Sequence, residues 1–325
     1  MRGARLEGAR AGPIVAPMST EPIPACDQVR RFIFEARPVR GHWVHLEQAW
    51  RELRAHASYP QSVSELLGET VAAAVLLAAT LKFRGMLTLQ LQGEGAVSLL
   101  VAQCTHDFRL RAVARFDAAA VAALESGPAA ARFRGLTGVD GRLTVTIEAE
   151  ERSLRYQGIV PLAAHGMASS LEAYFASSEQ LPTRVVLAAD ERRAAGLLVQ
   201  KLPGASEHAT EEGIAAWEQA GHGVAALRPR ALLGAAIEPL LLRSFPTQDL
   251  RLFRGSPVRF ECRCSTGRVA SVLRALGAAE LYDILREQGA VTVTCEFCHR
   301  PYRFGSLEIE ALLADQGAAE GATLH

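Results

Sequence analysis

Two short cysteine pairs, Cys262-Arg263-Cys264 and Cys295-Glu296-Phe297-Cys298, stand near the C-terminus of this 325-residue sequence. Residues 265–294 separate them and are long enough to contain a helix from about Val269 to Leu285. Each pair can present two sulfurs from a tight turn, and four thiolates suit the tetrahedral geometry of bound Zn²⁺. The spacing therefore predicts a small C-terminal domain built around one zinc ion per chain.

Two other interpretations use the same four cysteines. An iron–sulfur cluster takes the same type of ligand, and two unrelated pairs of buried cysteines would need no metal at all. Zinc is favoured over both, because close cysteine pairs at this separation are typical of zinc sites. His299 could replace a sulfur, but four cysteines already satisfy the ion, so we predict that His299 is a surface residue.

The first pair is C-x-C, whereas both turns of a purely structural zinc ribbon are usually C-x-x-C. A disulfide between Cys262 and Cys264 would close a small, strained ring, and strained disulfides are easier to reduce again. Zinc also holds all four sulfurs as thiolates, the form that oxidants attack. Because a small domain loses most of its folding free energy with its metal, this site is predicted to sense oxidants.

The rest of the composition excludes several classes of protein. Apolar residues make up 49% of the chain and charged residues 22%, which is typical of a folded globular protein. The formal net charge is zero, so a polyanionic partner is not expected. The most apolar run, Val71 to Leu81, is too short to span a membrane. Six cysteines are too few for a secreted disulfide scaffold, which predicts a cytoplasmic protein.

The chain divides into four predicted parts. Residues 1–25 are arginine- and proline-rich and are interpreted as a disordered leader or a wrongly assigned start. Residues 26–204 mix strand and helix patterns, residues 205–250 form a helical linker, and residues 251–325 form the zinc-binding domain. The predicted fold class is therefore α+β. Two further cysteines, Cys26 and Cys104, stand alone and are predicted to be packing residues.

The N-terminal part contains three clear patterns. Phe32 to Glu35 and Trp43 to Leu46 read as strands around a turn at Arg40 and Gly41. Ser62 to Thr80 reads as a buried helix, with Ser62 and Glu65 forming a capping box.

A hairpin is predicted farther along, with strands at Met86 to Leu91 and Val97 to Ala102. Gly93 and Gly95 lie in its turn and resemble part of a dinucleotide-binding fingerprint. The third glycine is missing, because position 98 is Ser98, so a tight turn is favoured over a nucleotide loop.

The predicted linker has one apolar face. Ile214 and Trp217 lie at helical spacing, and a second stretch carries Leu233, Ile237, Leu240 and Leu241 before Pro246. Pro239 is expected to kink or interrupt this second helix. An exposed sticky linker and an ordinary packed helical hairpin both fit the pattern.

Several motifs resemble the heat-shock protein 33 family of redox-regulated bacterial holdase chaperones. The cysteine pairs match its zinc ligands in type and order, and Tyr302 and Phe304 follow the last cysteine as in its pattern. Other matching motifs are Val39-Arg40-Gly41, Tyr59-Pro60, Leu91-Gln92-Gly93-Glu94-Gly95, Arg155-Tyr156-Gln157-Gly158, Tyr174-Phe175 and Ser178-Glu179-Gln180-Leu181-Pro182-Thr183-Arg184. The resemblance extends over nearly the whole chain from Asp27.

This resemblance implies a function. The reduced, zinc-bound chain would be inactive, and oxidation would form the disulfides Cys262–Cys264 and Cys295–Cys298 and release zinc. The linker would then unfold, and the protein would dimerise and hold unfolding client proteins without ATP. The chain would not be an enzyme and would bind neither nucleic acid nor membranes.

Two competing functions remain. The C-terminus could be a zinc ribbon that binds nucleic acid through a basic face made of Arg259, Arg263, Arg268 and Arg274. A catalytic zinc or a thiol oxidoreductase is disfavoured, because four cysteine ligands leave no open coordination position for water.

Overall fold

The computed structural model describes residues 3–6, 27–35, 37–126, 129–150, 155–203, 211–234 and 236–321. The chain forms two compact units, Met1–Glu261 and Cys262–His325, which are described separately. Helices and sheets occur in both units, which confirms the predicted α+β class. Cys26, predicted to be a packing residue, lies outside the described residues.

The first unit contains two sheets and the helices that pack on them. Its described strands are β1 Gly3–Leu6, β2 Gln28–Phe34, β3 Val39–Leu46, β4 Gly85–Gln92, β5 Val97–Thr105, β6 Arg109–Phe116, β7 Arg142–Ala149, β8 Arg155–Pro161, β9 Thr183–Ala189, β10 Ala194–Lys201, β11 Leu250–Phe253, β12 Ser256–Pro257 and β13 Arg259–Phe260. Its described helices are α1 Gln48–Arg54, α2 Gln61–Thr80, α3 Ala118–Glu125, α4 Ala129–Thr137, α5 Met167–Tyr174 with a π-helical turn at Phe175–Glu179, α6 Glu211–Ala225, α7 Ala231–Gly234 and α8 Ile237–Ser244.

The strand order shows how the chain returns to the two sheets. The first sheet runs β1-β11-β2-β3-β10-β9, with β12 also pairing with β2, and its strands are antiparallel. The second sheet runs β13-β6-β5-β4-β7-β8 and is antiparallel except for the β13–β6 pair. Strands from residues 250–260 therefore join both sheets: β11 lies between β1 and β2 in the first sheet, and β13 forms one edge of the second.

The helix α2 forms the centre of the main hydrophobic core and packs against strands of both sheets. It is the one described helix long and apolar enough to cross a membrane, but 83% of its apolar window is buried inside the protein. This burial identifies a core helix. The predicted capping box is wrong: α2 begins at Gln61, and Ser62 donates hydrogen bonds to the carboxylate of Glu125.

The α2 residue Glu69 makes the stability of this unit depend on pH. Burial, with a smaller contribution from Glu65, raises the pKa of its carboxyl group from 4.5 to about 8. The folded chain therefore keeps a proton that the unfolded chain releases, and stability falls as the pH rises from about 4.5 to about 8, by up to roughly 1.4 kcal/mol per pH unit.

We expect Glu69→Gln to raise the melting temperature at pH 8 and to change it little near pH 4.5, because the wild-type carboxyl is neutral there in the folded chain and only half ionised in the unfolded one. Thermal unfolding followed by circular dichroism at both pH values measures this difference. An equal gain at the two pH values would contradict the expectation.

A second core lies on the other face of the first sheet. The helices α6, α7 and α8 cover it, and their contacts include Ala220, Leu232 and Leu240 against Phe34 and Trp43 of the sheet. The described part of the segment predicted as a linker thus forms packed helices, which bury Leu233, Ile237, Leu240 and Leu241 of the predicted apolar face but leave Ile214 exposed. Pro239 does not interrupt α8, because it lies in the first turn, where a proline removes no helical hydrogen bond.

The glycine-containing turn between β4 and β5 is the tight hairpin turn that the sequence predicts. Its backbone packs directly against the end of α4. A side chain at Gly93 would collide with the Thr137 carbonyl oxygen, and one at Gly95 would overlap the backbone of Leu136 and Gly138. Glycine is needed here for close backbone contact, not for phosphate binding.

Three predictions about the first unit differ from the structure. Arg40 and Gly41 lie inside β3, and the turn before this strand falls near Pro38. The predicted leader contains β1, which pairs with β11, so the expectation of disorder is wrong for Gly3–Leu6. The structural boundary between the units follows Glu261, later than the predicted start of the zinc-binding domain at residue 251, because β11, β12 and β13 pair with strands of the first unit.

The second unit is a small α+β fold. Its described elements are α9 Thr266–Leu276, α10 Ala278–Gln288, β14 Val291–Thr294, β15 Pro301–Phe304 and α11 Ser306–Gly321. Where the sequence predicts one helix from Val269 to Leu285, the chain breaks at Gly277, whose φ of 89° favours glycine. The core is small and includes Leu273, Leu281, Tyr302 and Ile309.

Candidate metal centre

Two different local structures hold the four cysteines. Cys262 and Cys264 lie in a segment without regular secondary structure that ends at Ser265, whose side chain accepts a hydrogen bond from Arg268 N–H and caps α9. Arg268 also donates from Nη1 to the Arg263 carbonyl at 2.6 Å. These hydrogen bonds hold the first cysteine pair next to the N-terminus of α9.

The second pair lies in the loop of the β14–β15 hairpin. The N–H of Cys295 donates to the Arg300 carbonyl at 3.0 Å, and the N–H of His299 donates to the Cys295 carbonyl at 2.8 Å. His299 has a φ of 51°, in the left-handed region, which turns the chain back towards β15. The loop therefore brings the sulfurs of Cys295 and Cys298 close to each other.

The structure brings the four predicted sulfurs together. The Sγ atoms of Cys262 and Cys295 are 3.6 Å apart, and those of Cys264 and Cys298 are 3.4 Å apart. All four Sγ atoms lie within 4.8 Å of one another. Zinc–sulfur bonds of about 2.3 Å in a tetrahedron require sulfur–sulfur distances of about 3.8 Å. The four cysteines can therefore hold one metal ion of this size and ligand preference.

The Cys264 sulfur accepts a hydrogen bond from a side chain. The hydroxyl group of Tyr302 donates to Cys264 Sγ at 3.0 Å. Burial opposes ionisation of Cys264, but the bond from Tyr302 and those from the other three thiols lower its pKa to about 7. Burial instead raises the pKa of the Cys298 thiol to about 12. The hydrogen bond from Tyr302 therefore favours the thiolate form of Cys264.

All four cysteines are half-buried. Cys264 and Cys295 pack against the edge of the small hydrophobic core, while part of the cluster remains open to solvent. Small oxidants and chelators can therefore reach the sulfurs without unfolding the unit. Cys104 differs, because it is fully buried on β5 and burial raises the pKa of its thiol, as suits a packing residue.

The other predicted site residues take different places. His299 is exposed, in agreement with the predicted surface role. The four arginines of the alternative nucleic-acid face have varied environments. Arg259 lies in the first unit and forms ion pairs with Asp107 and Glu261, and the Nε of Arg274 is buried. Among the described residues, the side chain of Tyr302 contacts the cluster, a role that the sequence motif containing Tyr302 did not predict.

Comparisons with known proteins identify the family. The sequence profile described as Hsp33 protein matches residues 27–305. A 33 kDa chaperonin from Nitrosococcus oceani is 41% identical over 290 residues, covering 89% of this chain and 95% of the relative. Another 33 kDa chaperonin, from Pseudomonas paraeruginosa, is 41% identical over 301 residues, covering 92% and 99%. The chain belongs to the Hsp33 family.

The fold agrees with this assignment. The crystal structure of a 33 kDa chaperonin from Thermotoga maritima, an Hsp33 homologue, aligns with a TM-score of 0.73 at 22% identity, covering 90% of this chain and 99% of that protein. The Hsp33 profile ends at residue 305 and so includes all four clustered cysteines and Tyr302. The candidate metal centre is therefore part of the Hsp33 region and not an appended module.

Proposed function

We propose that this Hsp33 family member is a redox-regulated, ATP-independent holdase chaperone whose reduced form binds one Zn²⁺ through Cys262, Cys264, Cys295 and Cys298. The observation that carries the proposal is the convergence of these four sulfurs within 4.8 Å in a unit with a small core. The names of the 33 kDa chaperonin relatives support the chaperone part. The four-thiolate ligand set supports zinc.

In the reduced form, the fold of the second unit depends on the four cysteines, which connect two of its parts. When bound, zinc keeps the thiols deprotonated and joins the two local structures that carry them. The cysteines thereby link the start of α9 to the β14–β15 loop, which the few residues of the hydrophobic core hold weakly by themselves. With four thiolates in place, no coordination position remains for a substrate or water, so we propose no enzymatic reaction.

Oxidation would remove these links. In each pair, two thiolates give up two electrons to one molecule of peroxide or hypochlorous acid and an S–S bond forms. With protons taken from solvent, peroxide becomes two waters, and hypochlorous acid becomes chloride and one water. We propose the pairs Cys262–Cys264 and Cys295–Cys298, whose partners are close in sequence. The shortest sulfur distances join the opposite combinations, but every sulfur lies within reach of every other. Two disulfides leave no thiolate ligand for the metal.

The client-binding surface is proposed to come from the packed helices of residues 205–250. The helices α6 and α8 cover apolar side chains of the first sheet, including Phe32, Phe34 and Trp43. If this segment unfolds once the second unit has lost its metal, both its own apolar face and that of the sheet become available to unfolding proteins. The same surfaces would support dimerisation of the oxidised form. Zinc-bound thiolates are reduced sulfur, which a reducing cytoplasm maintains, so we propose a cytoplasmic protein.

A peroxide titration of the zinc-loaded protein at mildly raised temperature tests this proposal. We expect four thiols and about one zinc per chain to disappear together, because the same sulfurs bind metal and react with oxidant. Zinc is measured with a chromogenic chelator, thiols with a disulfide reagent, and holdase activity by light scattering of a chemically denatured client. The oxidised protein should suppress aggregation. Equal suppression by the reduced, zinc-bound protein would overturn the switch.

A further inference from the structure

The Tyr302–Cys264 contact is built into the second unit. Tyr302 lies on β15 with 8% of its surface exposed, and its ring packs in the same small core as Leu273 and Phe304. Because the ring is held there, its hydroxyl is fixed 3.0 Å from Cys264 Sγ. Cys262 and Cys298 instead accept hydrogen bonds from the backbone N–H groups of Cys264 and Arg300.

These two kinds of hydrogen bond respond differently to a change of side chain. The backbone bonds accompany the folding of each turn and are present with any side chain there. The Tyr302 bond depends on a single oxygen atom. A hydrogen bond donated to a thiolate stabilises its lone pairs, so the sulfur becomes a weaker nucleophile towards an electrophilic oxidant. A phenol O–H is a stronger hydrogen-bond donor than the backbone N–H that Cys262 accepts, so the hydroxyl slows oxidation more at Cys264 than at Cys262.

We propose that Tyr302 sets the order of oxidation in the first cysteine pair, so that Cys262 reacts first and Cys264 closes the disulfide. This inference rests on the proposed redox function. Tyr302 would act as a positioning residue, because it touches a reacting sulfur but exchanges no electrons.

The proposed sequence balances with peroxide as the oxidant. The Cys262 thiolate attacks one peroxide oxygen, an S–O bond forms, the O–O bond breaks, and hydroxide leaves; the product is sulfenic acid, and the hydroxide takes up a proton to become water. The Cys264 thiolate then attacks the Cys262 sulfur, an S–S bond forms, the S–O bond breaks, and the oxygen leaves as water with one more proton. Each sulfur has given up one electron, and one peroxide has become two waters.

The sequence allows the two sulfurs to be distinguished. Trypsin cleaves after Arg263, which places Cys262 and Cys264 in different peptides. The zinc-loaded full-length protein is treated with limiting peroxide in the presence of dimedone, which traps sulfenic acid. Mass spectrometry of the tryptic peptides then gives the ratio of label on Cys262 to label on Cys264.

Wild-type protein is expected to carry most of the label on Cys262, and Tyr302→Phe to lower the Cys262-to-Cys264 ratio several-fold. This change removes only the oxygen and keeps the ring in the core. Tyr282→Phe, on α10 and 43% exposed, is the matched control and should keep the wild-type ratio. A merely structural role would raise the label on all four cysteines together, so an unchanged ratio in Tyr302→Phe overturns the inference.

A second measurement is designed to change the Cys262-to-Cys264 label ratio in the opposite direction, and it needs no change of fold. Incorporation of 3-fluorotyrosine makes the phenol a stronger hydrogen-bond donor and should raise the Cys262-to-Cys264 ratio above the wild-type value. A ratio that stays equal or falls counts against the inference. The client aggregation assay is read separately: a shifted ratio without holdase activity would reject the chaperone proposal alone, and holdase activity with a constant ratio would reject the role of Tyr302 alone.

Discussion

Cys298→Ser is expected to abolish tight zinc binding and to unfold residues 262–321, while the first unit stays folded. The Cys298 sulfur lies 3.4 Å from that of Cys264, and serine supplies a hydroxyl that zinc does not hold in place of a thiolate. Structural zinc sites contribute about 10 to 16 kcal/mol to folding. The core of the second unit consists of only a few side chains, among them Leu281 and Ile309, and cannot replace that contribution.

Two measurements on the purified variant check this. Zinc content should fall from about one ion per chain to near zero, and hydrogen exchange should become fast in α9, α10 and β14 but not in α2. His299→Ala is the matched control, since it alters an exposed neighbour of the same loop and should keep the zinc. A Cys298→Ser protein with one bound zinc and a protected second unit would show that another group completes the site.

Gly93→Ala is expected to destabilise the first unit by about 3 kcal/mol. The added methyl group would overlap the carbonyl oxygen of Thr137, and a backbone atom at the end of α4 cannot turn aside as a flexible side chain could. The hairpin would have to separate from α4, disturbing the packing of the adjoining Leu91 and Leu136. Urea unfolding, followed by circular dichroism, measures the loss.

Gly221→Ala provides a control of opposite sign. Gly221 lies inside α6 with no atom within 4 Å of an added methyl group, so alanine should stabilise the helix by about 1 kcal/mol. If both alanine variants lost stability equally, close backbone contact at Gly93 would not be the cause. If Gly93→Ala kept wild-type stability, the hairpin would be free to move away from α4.

The sequence predicted those features that depend on local pattern. The apolar run of α2, the alternation of β4 and β5, and the spacing of the cysteines each carry their own signal, and each appears where expected. The break at Gly277 was missed, because a single glycine within an otherwise helical pattern does not by itself show whether the chain continues or turns.

Long-range pairing was harder to predict. The strands of residues 250–260 are four or fewer residues long, so their alternation is too short to recognise, and they exist because β2 and β6 offer open edges. The contact between Tyr302 and Cys264 joins residues 38 positions apart. It depends on how the Tyr302 ring packs in the small core of the second unit, and a motif that merely contains the tyrosine cannot reveal it.

The tryptophans give the protein an optical reporter of its own. Trp43 is buried beneath α6, α7 and α8, whereas Trp50 is buried in the separate core around α2. Undocking of those helices would bring water to Trp43 and shift its emission to longer wavelength, while Trp50 would keep its emission as an internal reference. A Trp217→Phe protein, which lacks the third tryptophan, would then show in real time, without an added dye, when the apolar face of the sheet is uncovered.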